Sequence, residues 1–190
     1  MKLAFKILTV GLTAWCFSGL ITDAVACTTF PPMDYTEITR NQKFILVQFA
    51  DAIYFFGADF ELRRKYRYAG LYPNNGSSVP LWTINWYADG NVYPVSDGIH
   101  LVKVNYSPRP EEETAVSFYR RGKLLKSYKF LDLVNEVSHL TSDSMCSRID
   151  WIDKLEYRED KGFLYIKTKD GIQYRFSIYS GEVFPPVNTR

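Results

Sequence analysis

Apolar and polar residues alternate over Ile172–Tyr179. Ile172, Tyr174, Phe176 and Ile178 fall on one face, and Gln173, Arg175, Ser177 and Tyr179 on the other, which predicts a half-buried β-strand. Lys43–Ala50 (KFILVQFA) is apolar on both faces and reads as a central strand. Further strands are predicted over Ile99–Asn105, Ala115–Arg120, Leu124–Phe130, Arg148–Tyr157 and Gly162–Thr168. The dipeptides Asp89-Gly90, Asp97-Gly98, Arg121-Gly122, Asp170-Gly171 and Ser180-Gly181 punctuate these runs, each offering the positive φ that a hairpin turn needs. Helix is confined to Ala58–Ala69 (ADFELRRKYRYA), with Asp59 near its start and Gly70 as its stop, and to one turn at Leu131–Val134. Asn74–Ser78 and Pro108–Glu113 read as exposed loops, and Cys27–Tyr35 as an extended lead-in. The class is therefore mainly β, antiparallel, with one short helix.

Three stretches share an order of features: a turn, an apolar strand, a connection, a second strand, a tight Gly turn and a short strand. They open at Asn41, Ser96 and Glu159, which stand 55 and then 63 residues apart. In the middle one, Val92–Val95, Asp97-Gly98, Ile99–Asn105, Ala115–Tyr119, Gly122 and Leu124–Phe130 resemble a four-stranded β-propeller blade. In the last, Lys169-Asp170-Gly171, Tyr174-Arg175-Phe176 and Ser180-Gly181-Glu182-Val183 resemble a blade ending. This resemblance covers Val92–Phe184 and implies a propeller-blade-like meander. Three units are fewer than the four or more blades of a closed propeller, and any antiparallel meander carries Gly turns at similar spacing, so a β-sandwich or open barrel stands as the alternative. Gly70–Ala88 is similar to a segment of uncharacterised exported bacterial proteins, a likeness that brings no activity with it.

The first 26 residues predict destination. Lys2 and Lys6 precede an apolar run from Ile7 to Ile21, and Ala24-Val25-Ala26 supplies small residues at a cleavage site, the layout of a secretory signal peptide. The expected organisation is a leader over 1–26 and a single β-rich domain over 27–190, exported to the periplasm or the extracellular space. Ala24-Val25-Ala26-Cys27 also resembles the lipid-attachment site of bacterial lipoproteins, although Ala24 stands where that pattern has Leu, Ile or Val. After cleavage two cysteines remain, Cys27 and Cys146, and in an oxidising compartment they are expected to form one disulfide unless Cys27 is lipidated.

Candidate chemistry is sparse. The formal net charge of the chain is only +2, which gives no reason to expect capture of nucleic acid; membrane attachment is expected only through a lipid on Cys27. His100 and His139 have no carboxylate or second His at ligand spacing, so no metal and no cofactor are expected. Nucleophile-elbow, zincin, Walker and Rossmann signatures are missing. Asp150 and Asp153, flanking Trp151, are the one acid pair beside an aromatic, as glycoside cleavage uses, against a plainer reading as solvated acids at a strand end.

Aromatic residues make up 16% of the chain, so each aromatic candidate competes with a place in the core. Trp82 and Trp86 would lie on one face of an extended segment, about 13 Å apart, and could stack on sugar rings; Ile84 between them argues for burial. With Trp151 they are the candidate ligand-binding residues. Arg63, Arg64, Lys65 and Arg67 form one basic cluster, read as a solvated helix face balanced by Glu111–Glu113, with an anionic headgroup or phosphate as the alternative. The expected role is a non-catalytic binding or assembly module with a protein or glycan partner in the cell envelope. A secreted glycan hydrolase and a lipid-anchored accessory protein are the alternatives.

Overall fold

The computed structural model describes residues 33–51, 58–88, 90–108, 113–137, 140, 142–143 and 148–184. Residues 1–26, expected to be a leader, and Cys27, Cys146 and His139 lie outside the described residues, and with them the expected disulfide. Three four-stranded antiparallel sheets make up most of the rest, each a meander whose neighbours in space are neighbours in sequence. The first holds β1 (Tyr35–Ile38), β2 (Phe44–Gln48), β3 (Gly70–Pro73) and β4 (Trp82–Thr83), with helix α1 (Phe60–Lys65) between β2 and β3. The second holds β5 (Asn91–Pro94), β6 (His100–Val104), β7 (Thr114–Arg120) and β8 (Lys123–Lys129), and runs into the single turn α2 (Phe130–Leu133). After a two-stranded ribbon of β9 (Ser142–Asp143) and β10 (Arg148–Ile149) comes the third sheet: β11 (Ile152–Arg158), β12 (Phe163–Thr168), β13 (Gln173–Ser177) and β14 (Val183–Phe184).

The alternation within β6 explains the order of layers. Leu101 joins Leu46, Leu71, Ile84 and Val92 in a cluster between the first and second sheets. Its neighbours Val102 and Val104 point the other way, into a larger cluster with Val116, Phe118, Phe130, Leu133, Trp151, Leu164, Ile166 and Phe176. A strand that is apolar on both faces is thus covered on both, and the second sheet is the middle layer. The exposed face of the first sheet is closed by α1, where Val47, Tyr66 and Tyr72 pack together. Tyr174, Phe176 and Ile178 are buried in the third sheet while Gln173 and Arg175 are exposed, as their alternation requires.

The seams between sheets are tight. Gly122, in the β7–β8 turn at φ +75°, lies so close to β4 that a Cβ there would stand 2.0 Å from the Thr83 carbonyl oxygen. Only glycine fits both the backbone conformation and the approach. At the other seam the buried Tyr128 hydroxyl donates to the Gly181 carbonyl at 2.7 Å.

Local departures from the sequence pattern have local causes. The helix is shorter than Ala58–Ala69: Asp59 caps it by accepting from the Leu62 amide, and at Tyr66 the backbone turns extended so that its ring can pack on Tyr72 at 4.6 Å. Gly70 opens β3 rather than stopping the helix; a Cβ there would lie 2.3 Å from the Trp82 carbonyl oxygen. Arg148–Tyr157 is broken after Ile149, because Trp151 turns wholly into the core and its indole N–H donates to the Asn105 carbonyl at 2.9 Å.

Candidate binding cleft

The opening strands of the three sheets, β1, β5 and β11, converge, and the turn that follows each is tied to the other two. Asn41 donates its side-chain amide to the Ser96 carbonyl at 2.7 Å, and its backbone N–H to the Ser96 hydroxyl at 3.2 Å. The Ser96 amide donates to Glu159 at 2.7 Å, and Arg40 closes the triangle by facing Asp160 at 3.8 Å. Asn41, Ser96 and Glu159 are the residues at which the three similar stretches open. Each therefore occupies the first turn of its own sheet, and the three turns touch.

These contacts frame a cleft of about 250 Å³, lined by Glu37, Ile38, Arg40, Tyr93, Pro94, Tyr157 and Glu159. All three sheets contribute to it. The Tyr93 and Tyr157 rings stack on each other at 5.1 Å with 24° between planes. The Tyr93 hydroxyl shares a hydrogen bond with that of Tyr106 at 2.9 Å. The Tyr157 hydroxyl is buried and has no hydrogen-bond partner among the described residues. Burial, reinforced by the Tyr106 bond, pushes the Tyr93 phenol well above its ordinary value; burial and then the Glu159 charge do the same to Tyr157. Both phenols therefore stay protonated across physiological pH, as hydrogen-bonding groups rather than bases.

Charge at the mouth is lopsided. Arg158 donates to both Glu156 and Asp160, and Arg40 faces Asp160, so both arginines already have carboxylates. Glu37 is exposed on β1 and pairs with no cation among the described residues.

A second, more open groove of about 600 Å³ lies between α1 and the first sheet, lined by residues including Thr36, Ile45, Glu61, Arg64 and Lys65. Its charges are spoken for: Arg64 pairs with Glu61 and Lys65 sits over the Tyr66 ring at 4.9 Å. Arg67 lies over Tyr68, and Arg63, with 31% of its side chain exposed, grips the buried Asp34 carboxylate with its guanidinium at 2.6 and 2.8 Å. The basic cluster is thus four separate local pairings.

The tryptophan candidates go elsewhere than the cleft. Trp82 donates to the Gly98 carbonyl at 2.9 Å and Trp86 lies 5.4 Å from Tyr119 beneath the Lys103 ammonium; both are half-buried against the cluster between the first two sheets. Trp151 has no exposed surface. Asp150 and Asp153 are exposed, ion-paired to Lys169 and Lys167 respectively. His100 meets Asp97 through Nδ1 at 2.6 Å and the edge of Tyr179, without lining the cleft. Burial would raise the Asp97 carboxyl, but bonds from the His100 side chain and the His100 and Ile99 amides outweigh it and hold it low. No group of three His, Cys, Asp or Glu side chains among the described residues is placed to hold a metal, and no described helix is long and apolar enough to cross a membrane.

No protein-family model, curated protein or solved structure matches this chain. The functional reading therefore rests on the cleft itself. Tyr93, Tyr157 and Glu37 were not singled out by the residue pattern, since none belongs to a motif, and Glu159 was marked only as the opening of the third similar stretch. The signal that points to them is positional: each lies on the strand or turn that precedes or opens one of the three similar stretches.

Proposed function

We propose that this protein is an exported, non-catalytic binding module, built from three blade-like sheets set about a shared cleft. The observation that carries the reading is the convergence of β1, β5 and β11, with their mutually bonded turns, on one cavity lined by two stacked tyrosines and two glutamates. Consecutive meanders packed face to face, each opening toward a common centre, are what a blade-like arrangement requires. The leader supports export. The ligand-facing groups offer hydrogen bonds, ring surface and charge, and the lining holds no Ser, Thr, Cys, Lys or His, which favours binding over turnover.

The test starts from protein recovered from the exported fraction, whose intact mass is expected to begin at Cys27, with or without a lipid. Its thermal unfolding is then followed with a panel of small amines, sugars and carboxylates. Ile38, at the mouth and 50% exposed, is replaced by tryptophan to fill the cleft without touching the core. A ligand of the cleft is expected to raise the melting temperature of the wild type and not that of Ile38→Trp, and to be recovered unchanged. Retained binding in Ile38→Trp, or chemical conversion of the ligand, contradicts the proposal.

A further inference from the structure

We infer that Asn75 is a self-modification site, converted by water to aspartate and isoaspartate through a cyclic imide with the Gly76 nitrogen. Asn75 and Gly76 stand in the loop between β3 and β4, and both are exposed. The Asn75 side chain folds forward in an Asx turn, its Oδ1 accepting from the Ser77 amide at 3.1 Å. That bond arches the side chain over the peptide joining Asn75 to Gly76 and holds its carbonyl close to the Gly76 nitrogen. The Ser77 N–H also points at the oxygen on which negative charge gathers when Cγ is attacked, as a donor does in an oxyanion hole. The loop is pinned around the turn. Asn74 donates its amide to the Lys43 carbonyl at 2.8 Å and its Nδ2 to the Gln42 carbonyl at 2.9 Å, and the Val79 amide donates to the Ser77 hydroxyl at 3.1 Å. A solvent base takes the Gly76 amide proton, the Gly76 nitrogen bonds to Asn75 Cγ, and the Cγ–Nδ2 bond breaks as ammonia leaves with a proton from solvent. Water then opens the imide ring, at Cγ to leave an isoaspartate-free aspartate, or at the backbone carbonyl to leave an isoaspartate.

Comparable residues elsewhere in the fold are held back. Asn41 and Asn105 form the same turn, accepting from the Lys43 and Ser107 amides at 3.0 and 3.1 Å. Each is followed by a residue whose side chain crowds the attacking nitrogen, Gln42 and Tyr106. Each also has its Nδ2 engaged, with the Ser96 carbonyl at 2.7 Å and with Glu113 at 3.1 Å. Asp97 and Asp170 precede glycines and would close the same ring by losing water, but the Gly98 and Gly171 amides are tied to the Val95 and Thr168 carbonyls at 3.1 and 2.9 Å. Among the described residues, neither the Gly76 amide nor Asn75 Nδ2 has such a partner. A Cβ at Gly76 would meet nothing within 4 Å, so the loop has room for the ring.

Purified protein held near neutral pH at body temperature for days, then mapped by proteolysis and mass spectrometry, tests this. A gain of about 1 Da at Asn75, with isoaspartate among the products, is expected in the folded protein. It is expected to appear at least about tenfold faster than at Asn41, Asn91 or Asn105, and to speed up as pH rises, because the attacking amide must lose its proton. In guanidinium chloride the unfolded chain is expected to react at Asn75 no faster than the folded protein, since the turn already presents the reacting groups to each other. Gly76→Ala is expected to slow the reaction at least about tenfold. Gly76 stands at φ +88°, which strains an alanine, so the comparison of folded with unfolded wild type decides the matter where that variant fails to fold. An Asn75 that stays intact in the folded protein, that reacts faster in guanidinium chloride, or that reacts at an unchanged rate in a folded Gly76→Ala overturns the inference.

Discussion

Replacing Asp34 by alanine is expected to cost about 3–5 kcal/mol of stability, the penalty for breaking one half of a buried ion pair. The Asp34 carboxylate is wholly buried and does four things at once. It accepts from the Ala50 amide at 2.7 Å, the Asp59 amide at 2.9 Å, and Arg63 Nε and Nη2 at 2.6 and 2.8 Å. It thereby pins the entry to β1, the exit from β2 and the start of α1 to a single point. Arg63 adds a bond to the Ala50 carbonyl at 2.8 Å and lies over the Phe49 ring. Removing the carboxylate strands two amides and a guanidinium together. Urea unfolding checks the magnitude, and a midpoint unchanged in Asp34→Ala contradicts it.

The same residue sets an acid limb. Burial on its own would raise the Asp34 carboxyl, but Arg63 and then the Ala50 and Asp59 amides outweigh it and hold it below the ordinary carboxylate range. Its native value is therefore lower than its unfolded one, near 3.9. The stability it contributes is fully present above the unfolded value and is lost as pH falls through the depressed native value. Wild-type unfolding midpoints are expected to drop on acidification below about pH 4, with a smaller drop in Asp34→Ala.

A loss of similar size, about 3–5 kcal/mol, is expected for Trp151→Ala, with a smaller loss for Trp151→Phe. Trp151 is one of the largest side chains with no exposed surface, packs edge-on to Phe130 at 6.2 Å, and joins the cluster that the second and third sheets share. Truncation opens a cavity between two layers and strands the Asn105 carbonyl, so relaxation within one sheet cannot close it. Against a typical stability of about 5–15 kcal/mol, either substitution removes a large part of what holds the fold. Denaturant midpoints for the two Trp151 variants measure the difference directly.

The β class was legible because hydrophobic alternation is a local signal. Val102 and Phe176 announce their strands without reference to any partner. The similar openings at Asn41, Ser96 and Glu159 were legible for the same reason, and the contacts among them give that similarity a spatial meaning. Short strands were not: β1 carries only Tyr35–Ile38, mostly exposed, and β4 only Trp82–Thr83, each too brief for a period to show. Gly70 was misread because a glycine needed for close approach to another strand looks the same, in one dimension, as a helix stop. Asp34 and Arg63, 29 residues apart, form a pair that no spacing rule reports. The cleft was invisible for the deepest reason, since Tyr93 and Tyr157 meet only through the packing of two sheets. Trp82, Trp86 and Trp151, the conspicuous aromatics, are used for seams and core instead.

The three sheets meet at their opening strands and first turns. A NOESY spectrum of the purified protein with labelled aromatic and glycine residues tests it most directly. Cross-peaks are expected between the Tyr93 and Tyr157 rings, whose centroids are 5.1 Å apart, and between the Phe44 ring and the Gly98 α-protons. Loss of both sets, with the cross-strand peaks inside each sheet intact, would mean that the sheets form but do not converge, and the cleft with everything built on it would fall.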